Sequence, residues 1–580
     1  MLWFVENLYR HKREREALDT LASGVDWLVP IGWRIDDSLH LIWDANIFVA
    51  GALFPVSVRY PSHFPHSPVL VLPRGESGRW SSHQYGPGGE LCLEYGPDNW
   101  HPDLTGADMV SSAHRLLQGE RSSPLEDTIV PSRHKTTLGQ DLRGSLTRLL
   151  VTREVQGMLP QIPEGVILLA KTLVVFSENS YVRLVSSVAF SADENWRAVS
   201  LPTPLFKLVY EQEIALCRWP LDMELPPTGN LATFSAAIEA RGLVLPSVPY
   251  VVVVRGRDTH AYALLSSESI AFESTVVVEP EPTRRVDETY AGLNVRKVAL
   301  VGCGSLGSKL AIMLARSGVH QFLLIDDDIL LPENLVRHDL DWMDVGTHKV
   351  DSLATRIQLV NPGATCEKRR HRLGGQESSG ALETLIEGLA NTDLIIDATA
   401  EPTVFNYLSA VTAFAKRPLL WAEVFGGGFG GLIARHRPLL EPDPASMRRA
   451  IESWCADRGQ PIERAIGDYG GGPEIPRVAD DADVGVIAAH AARMAIDVLI
   501  PRMPSTFPYP VYIIGLAKGW IFEQPFETYP IDVGPPPAVV SEPPLEEVER
   551  QSELVKIIRL LEHRNDAGSS QPPDIEATPA

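Results

Sequence analysis

The sequence predicts a multidomain α/β protein, and three observations carry the prediction. Val298–Val301 is an apolar run ending in Gly302, Gly304 and Gly307; a helix-patterned segment follows, and a second apolar run stops at Asp326. From Trp33 to Leu72, short apolar runs are broken by Asp36-Asp37, Asp44-Ala45-Asn46 and prolines, as in an antiparallel meander. Gly165 to Val278 holds further apolar runs, among them VILLAKTLVVF, YVRLVSSVAF, YVVVVRGR and AYALLSS, which read as strand-rich with some helix. A chain of 580 residues exceeds one core, and length alone asks for roughly three or four domains. Polar and proline-rich stretches then divide it into an α+β domain over 1–122, a strand-rich connecting domain over 123–285, an α/β domain over 286–534, and a proline-rich segment, helix and tail over 535–580.

Composition narrows the function classes. The net charge of -22 argues against a general grip on nucleic acid, because phosphate binding needs a basic face. No segment approaches ~18 uninterrupted apolar residues, and the N-terminal charges follow a short apolar start, so a cytoplasmic protein without signal peptide or membrane span is expected. The five cysteines, Cys92, Cys217, Cys303, Cys366 and Cys455, form no C-x-x-C pair, which disfavours a zinc ribbon or disulfide framework.

Taken in order, Phe4 to Ala22 reads as a charged amphipathic helix ahead of the meander, and Pro61, Pro65 and Pro68 hold the chain extended into the strand Val69–Leu72. Cys92 then lies in a short L-C-L run after Gly88-Gly89, which suits a thiol presented beside a turn rather than sunk in a core. Trp100, Pro102, Leu104 and Thr105 follow, and a helix is expected from Gly106 to about Leu117. This stretch resembles the active-site region of ubiquitin-conjugating (E2) enzymes, in which a Y-P-x-x-P-P-x-V strand precedes a G-x-I-C-L cysteine and W-x-P-x-L-T opens a helix. The resemblance implies a UBC-like fold with Cys92 as the thioester cysteine. A thioester keeps an acyl group activated toward an amine, and a thiolate both forms it and leaves readily. Where that family has H-P-N, this chain has His83-Gln84-Tyr85, and His83, Tyr85, Glu94 and His101 are the candidates to replace the asparagine.

From Gly119 to Leu138 the composition turns polar, which marks a boundary. The region beyond shows no catalytic constellation, Cys217 reads as core, and EPEPTRRVDETYAG forms a second linker.

The glycine turn brings the chain to its most specific signal. Strand, glycine turn, helix and strand ending in an acid is the Rossmann-like order that seats phosphates on a helix N-terminus and a ribose on the acid. Here Asp326 continues as D-x-D-x(5)-N-L-x-R, through Asn334 and Arg337, and then a G-x-x-K helix start at Lys349. Over roughly Gly292 to Pro501 this resembles the adenylating enzymes of the ThiF/MoeB/ubiquitin-activating (E1) superfamily. The resemblance implies ATP on Gly302, Gly304, Gly307 and Asp326, with Asn334, Arg337 and Lys349 around its phosphates. It also places Asp397, at the end of TDLIID, at the magnesium-associated aspartate. An arginine from a partner protomer often completes such sites, and Arg284, Arg285 and Arg296 lie in the corresponding region. The residue types fit the reaction, since a carboxylate attacking the α-phosphate brings two anions together while charge builds on pyrophosphate.

Activating enzymes that form their own thioester carry a cysteine in the crossover before a late helix, here expected from Asp483 to about Ile500. The matching stretch lacks one. Cys455 is the thiol in the wider crossover, while Cys303 and Cys366 read as structural. Cys455, an oxygen nucleophile or direct passage to Cys92 all stay open as the route of the acyl group. Trp520 and the strand VYIIGL precede a proline run and a charged helix, the tail DAGSSQPPDIEATPA is expected to be disordered, and no H-x-H-P metalloprotease pattern appears.

Together the two regions resemble bacterial E2/E1 fusion proteins of CBASS and related ubiquitin-like operons. That resemblance implies a homodimer with a ubiquitin-like or other carrier protein bearing a free C-terminus as one partner and a target protein supplying an amine as the other. It implies ATP and Mg as cofactors and neither nucleic acid nor membrane. The rivals are a ThiF/MoeB-type sulfur-carrier activator, a catalytically decayed scaffold, and an NAD-dependent dehydrogenase that would share only the glycine turn.

Overall fold

In the computed structural model the described residues are 2–75, 80–81, 83–85, 88–121, 142, 145–178, 180–191, 193–279, 287–375, 379–458, 479–502, 504–536 and 547–567. The chain divides into two compact units, Met1–Gly144 and Ser145–Ala580.

The first unit opens with α1 (Trp3–Glu6) and α2 (Leu8–Gly24), where the sequence pattern suggested one helix; Asn7 breaks it by capping α2, its side chain accepting from Arg10 N at 3.0 Å. Four strands follow as an antiparallel meander: β1 (Leu28–Ile35), β2 (Leu41–Val49), β3 (Ala52–Tyr60) and β4 (Leu70–Pro73). Cross-strand pairs such as Trp33 with Trp43 and Val58 with Val71 set the register. The helix α3 (Gly106–Arg121) closes the unit, and Val110, Ala113 and Leu117 pack with Leu18, Trp43, Val58, Leu91 and Leu93 in one core.

The face α2 buries is mostly charged: Arg10, Glu14 and Leu18, one turn apart. Burial of Glu14 is compensated by four groups. Tyr60 Oη donates to it at 2.9 Å, Gly106 N at 2.7 Å, and Arg10 pairs with it at 2.8 Å while donating to the Pro102 and Leu104 carbonyls. A Cβ on Gly106 would stand 2.2 Å from the Tyr60 hydroxyl, so only glycine starts α3 against this network. Trp100 Nε1 donates to Pro65 O at 2.7 Å, joining the two halves of the motif read from the sequence.

In the second unit, residues 145–279 build a barrel. Its strands are β5 (Thr147–Val151), β6 (Ile167–Ser177), β7 (Ser180–Ala189), β8 (Asn195–Arg197), β9 (Tyr210–Trp219), β10 (Tyr250–Arg255), β11 (Asp258–Leu265) and β12 (Ile270–Val278), with α4 (Leu231–Glu239) between β9 and β10. The order is β5-β12-β11-β10-β9-β6-β7-β8, and β5 pairs in parallel with β7 as well as β12, which closes seven strands on themselves and leaves β8 hung on β7. Closure removes the exposed edges that such a sheet would otherwise carry. Leu149, Val151, Val185, Ile214, Leu216, Val252 and Val254 fill the interior, and Cys217 lies in the core as expected.

Residues 287–536 contain an eight-stranded sheet in the order β15-β14-β13-β16-β17-β18-β19-β20. β13 (Lys297–Val301), β14 (Gln321–Ile325), β15 (Thr365–Arg369), β16 (Leu394–Asp397) and β17 (Leu419–Val424) are parallel. β18 (Gly430–His436), β19 (Val511–Gly515) and β20 (Thr528–Ile531) continue it antiparallel. The crossover helices are α5 (Ser305–Ser317), α6 (Lys349–Val360), α7 (Ser379–Ala390) and α8 (Pro402–Ala415), followed by α9 (Pro444–Ala456) and α10 (Asp481–Leu499). Strands β13, β14 and β16 are apolar on both faces because a cluster covers each one. The chain leaves β13 toward β14 on one side and returns to β16 on the other, so a crevice opens at the carboxyl ends of these strands. A last helix, α11 (Glu547–Ala567), follows. Among the described residues no helix is long and apolar enough to cross a membrane.

Candidate functional site

The crevice begins at the glycine turn. Gly302 has φ 89°, in the left-handed region, and a Cβ there would come 2.9 Å from Thr399 Cγ2. At Gly307 a Cβ would lie 1.9 Å from the Gly302 carbonyl oxygen, which is why the helix can start this close to the strand. Gly304 caps α5, and a Cβ there meets nothing within 4 Å. Its position opens on free space at a helix N-terminus, where the first-turn N–H groups have no intrahelical acceptor and the helix dipole favours an anion. That free space fits a phosphate approaching the backbone.

Acidic and basic side chains ring this opening. Asp326, at the end of β14, accepts from Cys303 N at 2.7 Å and Asp328 N at 2.9 Å, so it fixes the turn as well as facing the crevice. Burial raises its pKa, with those hydrogen bonds opposing. Lys349, the first residue of α6 and 7% exposed, pairs with Asp328, whose carboxyl stays below its ordinary range because hydrogen bonding from Lys349 and Ile329 N outweighs burial. Asn334 caps a short turn, Pro332–Val336, by accepting from Leu331 N at 2.9 Å, and the half-buried Arg337 follows it.

His338 escaped the sequence reading, for a single histidine carries no pattern. It is buried, its Nδ1 accepts from Leu340 N at 3.2 Å, and Nε2 lies 2.8 Å from the Cys303 carbonyl. That pair of contacts assigns the proton to Nε2, which donates to the glycine turn. Burial drives its pKa down to about 4, so the ring is neutral. Lys309 also went unremarked; on α5, it pairs at 2.6 Å with Asp481 at the start of α10.

On the far side of the turn, Asp397 ends β16 and is 3% exposed. Thr399 N and Oγ1 donate to it at 3.0 and 2.7 Å, and burial pushes it up to about 6 despite those bonds and the attraction of Arg448. Arg448, on α9, lies 4.7 Å over the Phe405 ring and lines a cleft with Asp397, Glu401, Trp421 and Glu423. It stands 51 positions after Asp397 in the chain, so no local signal joins them. Among the described residues no group of three or more His, Cys, Asp or Glu could hold a metal. One buried carboxylate beside a phosphate site is nonetheless the usual protein share of a magnesium site, so Asp397 fits that ion with ATP supplying the other oxygens.

In the first unit, Cys92 N donates to His83 O at 2.8 Å and Tyr85 N to Glu90 O at 3.0 Å, so His83-Gln84-Tyr85 forms the opposite arm of a short hairpin. The expected open thiol is corrected here: Cys92 is 6% exposed. Alternation explains this, because Leu91 and Leu93 enter the core while Cys92 points away from it, toward the arm carrying Tyr85. The Tyr85 phenol, 62% exposed, hydrogen-bonds the sulfur and has its pKa raised by Cys92 first and by burial second. Glu94 pairs with Arg115 at 2.6 Å and exposed His101 with Asp103 at 3.2 Å, so of the four candidates to replace the asparagine it is Tyr85 whose side chain bonds Cys92.

The other candidates fall elsewhere. Cys455 is fully buried on α9 among Phe405, Trp421 and Met447, and burial pushes its thiol up to about 11. Cys303 is buried in the turn, and the Cys366 thiol is pushed up to about 12 by burial. Arg296 pairs with Asp393 at 3.2 Å beside the start of β13, the opposite end from the turn. Arg284, Arg285 and the crossover over 459–478 lie outside the described residues.

Residues 286–437 match the ThiF family, so the crevice belongs to a ThiF-family domain. The chain is similar to the uncharacterized protein y4qC of Sinorhizobium fredii, 31% identical over 224 residues, covering 36% of this chain and 38% of that one. It is also similar to the ATP-dependent ubiquitin transferase-like protein Cap2 of Escherichia coli, 32% identical over 155 residues, covering 26% of this chain and 24% of that one. The chain therefore spans well under half the length of the curated relatives it matches. Among solved structures it resembles E. coli MccB with ATP, at 16% identity and a TM-score of 0.32, covering 43% of this chain and 67% of that one.

Proposed function

We propose that the ThiF-family domain uses ATP to adenylate the C-terminal carboxylate of a ubiquitin-like or other carrier protein, and that Cys92 receives the acyl group as a thioester and passes it to an amine on a target protein. The observation that carries the first step is the open helix N-terminus at Gly304, flanked by Asp326, Lys349 and Asp397 at the carboxyl ends of three adjacent strands or the helix start beside them. Cap2, to which part of the chain is similar, is named for an ATP-dependent ubiquitin transferase-like activity, which supports the carrier.

The roles follow from charge and position. Gly302 and Gly307 keep Cβ atoms out of the turn, Asp326 accepts from the ribose hydroxyls, and Arg337 and Lys349 offset the charge of the phosphates. Magnesium, held through Asp397, would supply further compensation for the pyrophosphate leaving group. The carrier carboxylate oxygen bonds the α-phosphorus as the bond to pyrophosphate breaks. The Cys92 thiolate then attacks the acyl carbon, AMP leaves, and the amine finally displaces the sulfur. The Tyr85 phenol stabilises that thiolate by donating to it. We take the active form to be a homodimer.

Carrier-dependent exchange of pyrophosphate into ATP tests the first step, which fails if Lys349→Met leaves exchange unchanged. A DTT-sensitive carrier adduct tests the second: Cys92→Ala should abolish the adduct and spare exchange. The low exposure of Cys92 favours one alternative, a sulfur-carrier activator of the ThiF/MoeB type. Exchange without any adduct on Cys92 would select it.

A further inference from the structure

Three arginines are buried among the described residues, and two of them are compensated. Arg10 has Glu14 at 2.8 Å, and Arg435 has Asp497 at 3.0 Å and Glu441 at 3.2 Å. Arg183, inside the barrel and 8% exposed, forms no ion pair with any described carboxylate. A buried charge without a counter-ion is costly, and its retention calls for a physical reason.

The surroundings of Arg183 are built for an anion. Its Nε donates to Gln212 Oε1 at 3.1 Å and its Nη1 to Thr147 Oγ1 at 3.0 Å, which leaves Nη2 with no acceptor among the described residues. The guanidinium plane lies 4.3 Å over the Tyr250 ring. Tyr250 Oη donates to Ser274 Oγ at 2.6 Å, and Ser274 Oγ lies 3.1 Å from Thr147 Oγ1, so hydroxyls rather than carboxylates line the remaining wall. Register explains the grouping: Thr147, Arg183, Gln212, Tyr250 and Ser274 occupy inward positions toward one end of strands whose other inward residues, Leu149, Val185, Ile214, Val252 and Val276, are apolar. Tyr181 and Tyr210, 43% and 50% exposed, lie on the same inward rows beyond Arg183 and Gln212 and mark the open end. Burial lowers the Arg183 pKa, while the phenols of Tyr250, Tyr210 and Tyr181 oppose it.

We propose that this polar end of the barrel is a carboxylate-binding site in which Arg183 grips the ligand with its free Nη edge and the hydroxyls orient it. A single guanidinium matches one planar, singly charged oxyanion; a phosphate dianion would keep an unmatched charge. The ligand is either a small carboxylate or the C-terminal carboxylate of a polypeptide, which share this chemistry.

The test uses the full chain and two probes, sodium acetate and a short peptide with a free C-terminus, each against sodium chloride of equal ionic strength. Acetate should raise the melting temperature and give a saturable calorimetric signal, and both should vanish in Arg183→Met. Arg183→Lys keeps the charge but loses the fork, so acetate binding should fall at least ~10-fold, which carries the test if Arg183→Met does not fold. A peptide binding more tightly than acetate, with its C-terminal amide inactive, assigns a chain terminus; equal binding assigns a small carboxylate. No acetate-specific response in the wild-type chain, a response preserved in Arg183→Met, or unchanged binding in Arg183→Lys overturns the proposal and makes Arg183 a structural cation only.

Discussion

His338 ties the nucleotide crevice to pH, and the size of the effect follows from its placement. In the folded chain its pKa is about 4, against the ordinary 6.5, because burial disfavours the imidazolium. The lowered value means that the unfolded segment takes up a proton before the folded one does. Stability from the neutral ring is thus complete above pH ~6.5 and is lost as pH falls toward ~4. Between pH 7 and pH 5 the loss amounts to ~2 kcal/mol. The tether that weakens is the bond from Nε2 to the Cys303 carbonyl, so the opening should show in the turn itself. Hydrogen exchange of peptides covering 302–308 and 337–341, corrected for intrinsic rates, reads it directly. Protection in the wild-type chain should fall by about a factor of 30 over this interval, whereas in His338→Gln, lower at pH 7 by ~1 kcal/mol for a strained hydrogen bond, it should barely change with pH. Equal pH dependence in the two chains would refute the assignment of a neutral, tethering histidine.

Other expectations rest on single distances or charges. Gly307→Ala sets a methyl group 1.9 Å from the Gly302 carbonyl oxygen, so the turn must open; a loss of ~3 kcal/mol in urea unfolding and of nucleotide binding in a fluorescence titration are expected. Gly106→Ala drives a methyl 2.2 Å from the Tyr60 hydroxyl and should cost ~2–3 kcal/mol, against ~1 kcal/mol for Tyr60→Phe, an order that urea melts check. Asp397 has its pKa raised to about 6, so stability is lost as pH rises from ~4 through 6; in EDTA, Asp397→Asn should gain ~1–3 kcal/mol at pH 7.5 and much less at pH 4.5. Carrier-dependent exchange in the same variant should drop at least ~100-fold, separating its stability from its proposed role.

How much of this was legible in the chain depends on whether the signal was local. The glycine turn was, because the backbone geometry that demands glycine at 302 and 307 is imposed by residues within one strand–helix unit and by the Ala398–Thr399 segment beside it. The Trp100 and Tyr60 motif was also legible, since its residues meet around Pro65 and Glu14. The burial of Cys92 was not, although L-C-L alternation was visible, for its cover comes from the hairpin arm His83–Tyr85, whose pairing no spacing announced. Barrel closure depends on β5 meeting β7 in parallel, a contact between strands with β6 intervening in sequence. His338 and Arg448 act through position alone, and a lone histidine or arginine looks the same in sequence whether it tethers a turn or covers a surface.

The ionic arrangement of the crevice bears on how an acidic chain could take a polyanion. Net charge of -22 repels phosphates at long range, yet screening confines that repulsion to about 8 Å at physiological salt, and the cations of the crevice stand closer than this to any ligand on the helix N-terminus. Each resolved cation is held by an acid: Lys349 by Asp328, Lys309 by Asp481, and Arg448 in the electrostatic reach of Asp397. A buried ammonium left alone would shed its proton, so the acids keep Lys349 charged in the empty site. Phosphates arriving at Gly304 then find positive charge already desolvated and positioned, and gain from it without the reorganisation water would require. The carboxylates in the crevice, in this reading, do not oppose nucleotide binding but maintain the cations that make it possible.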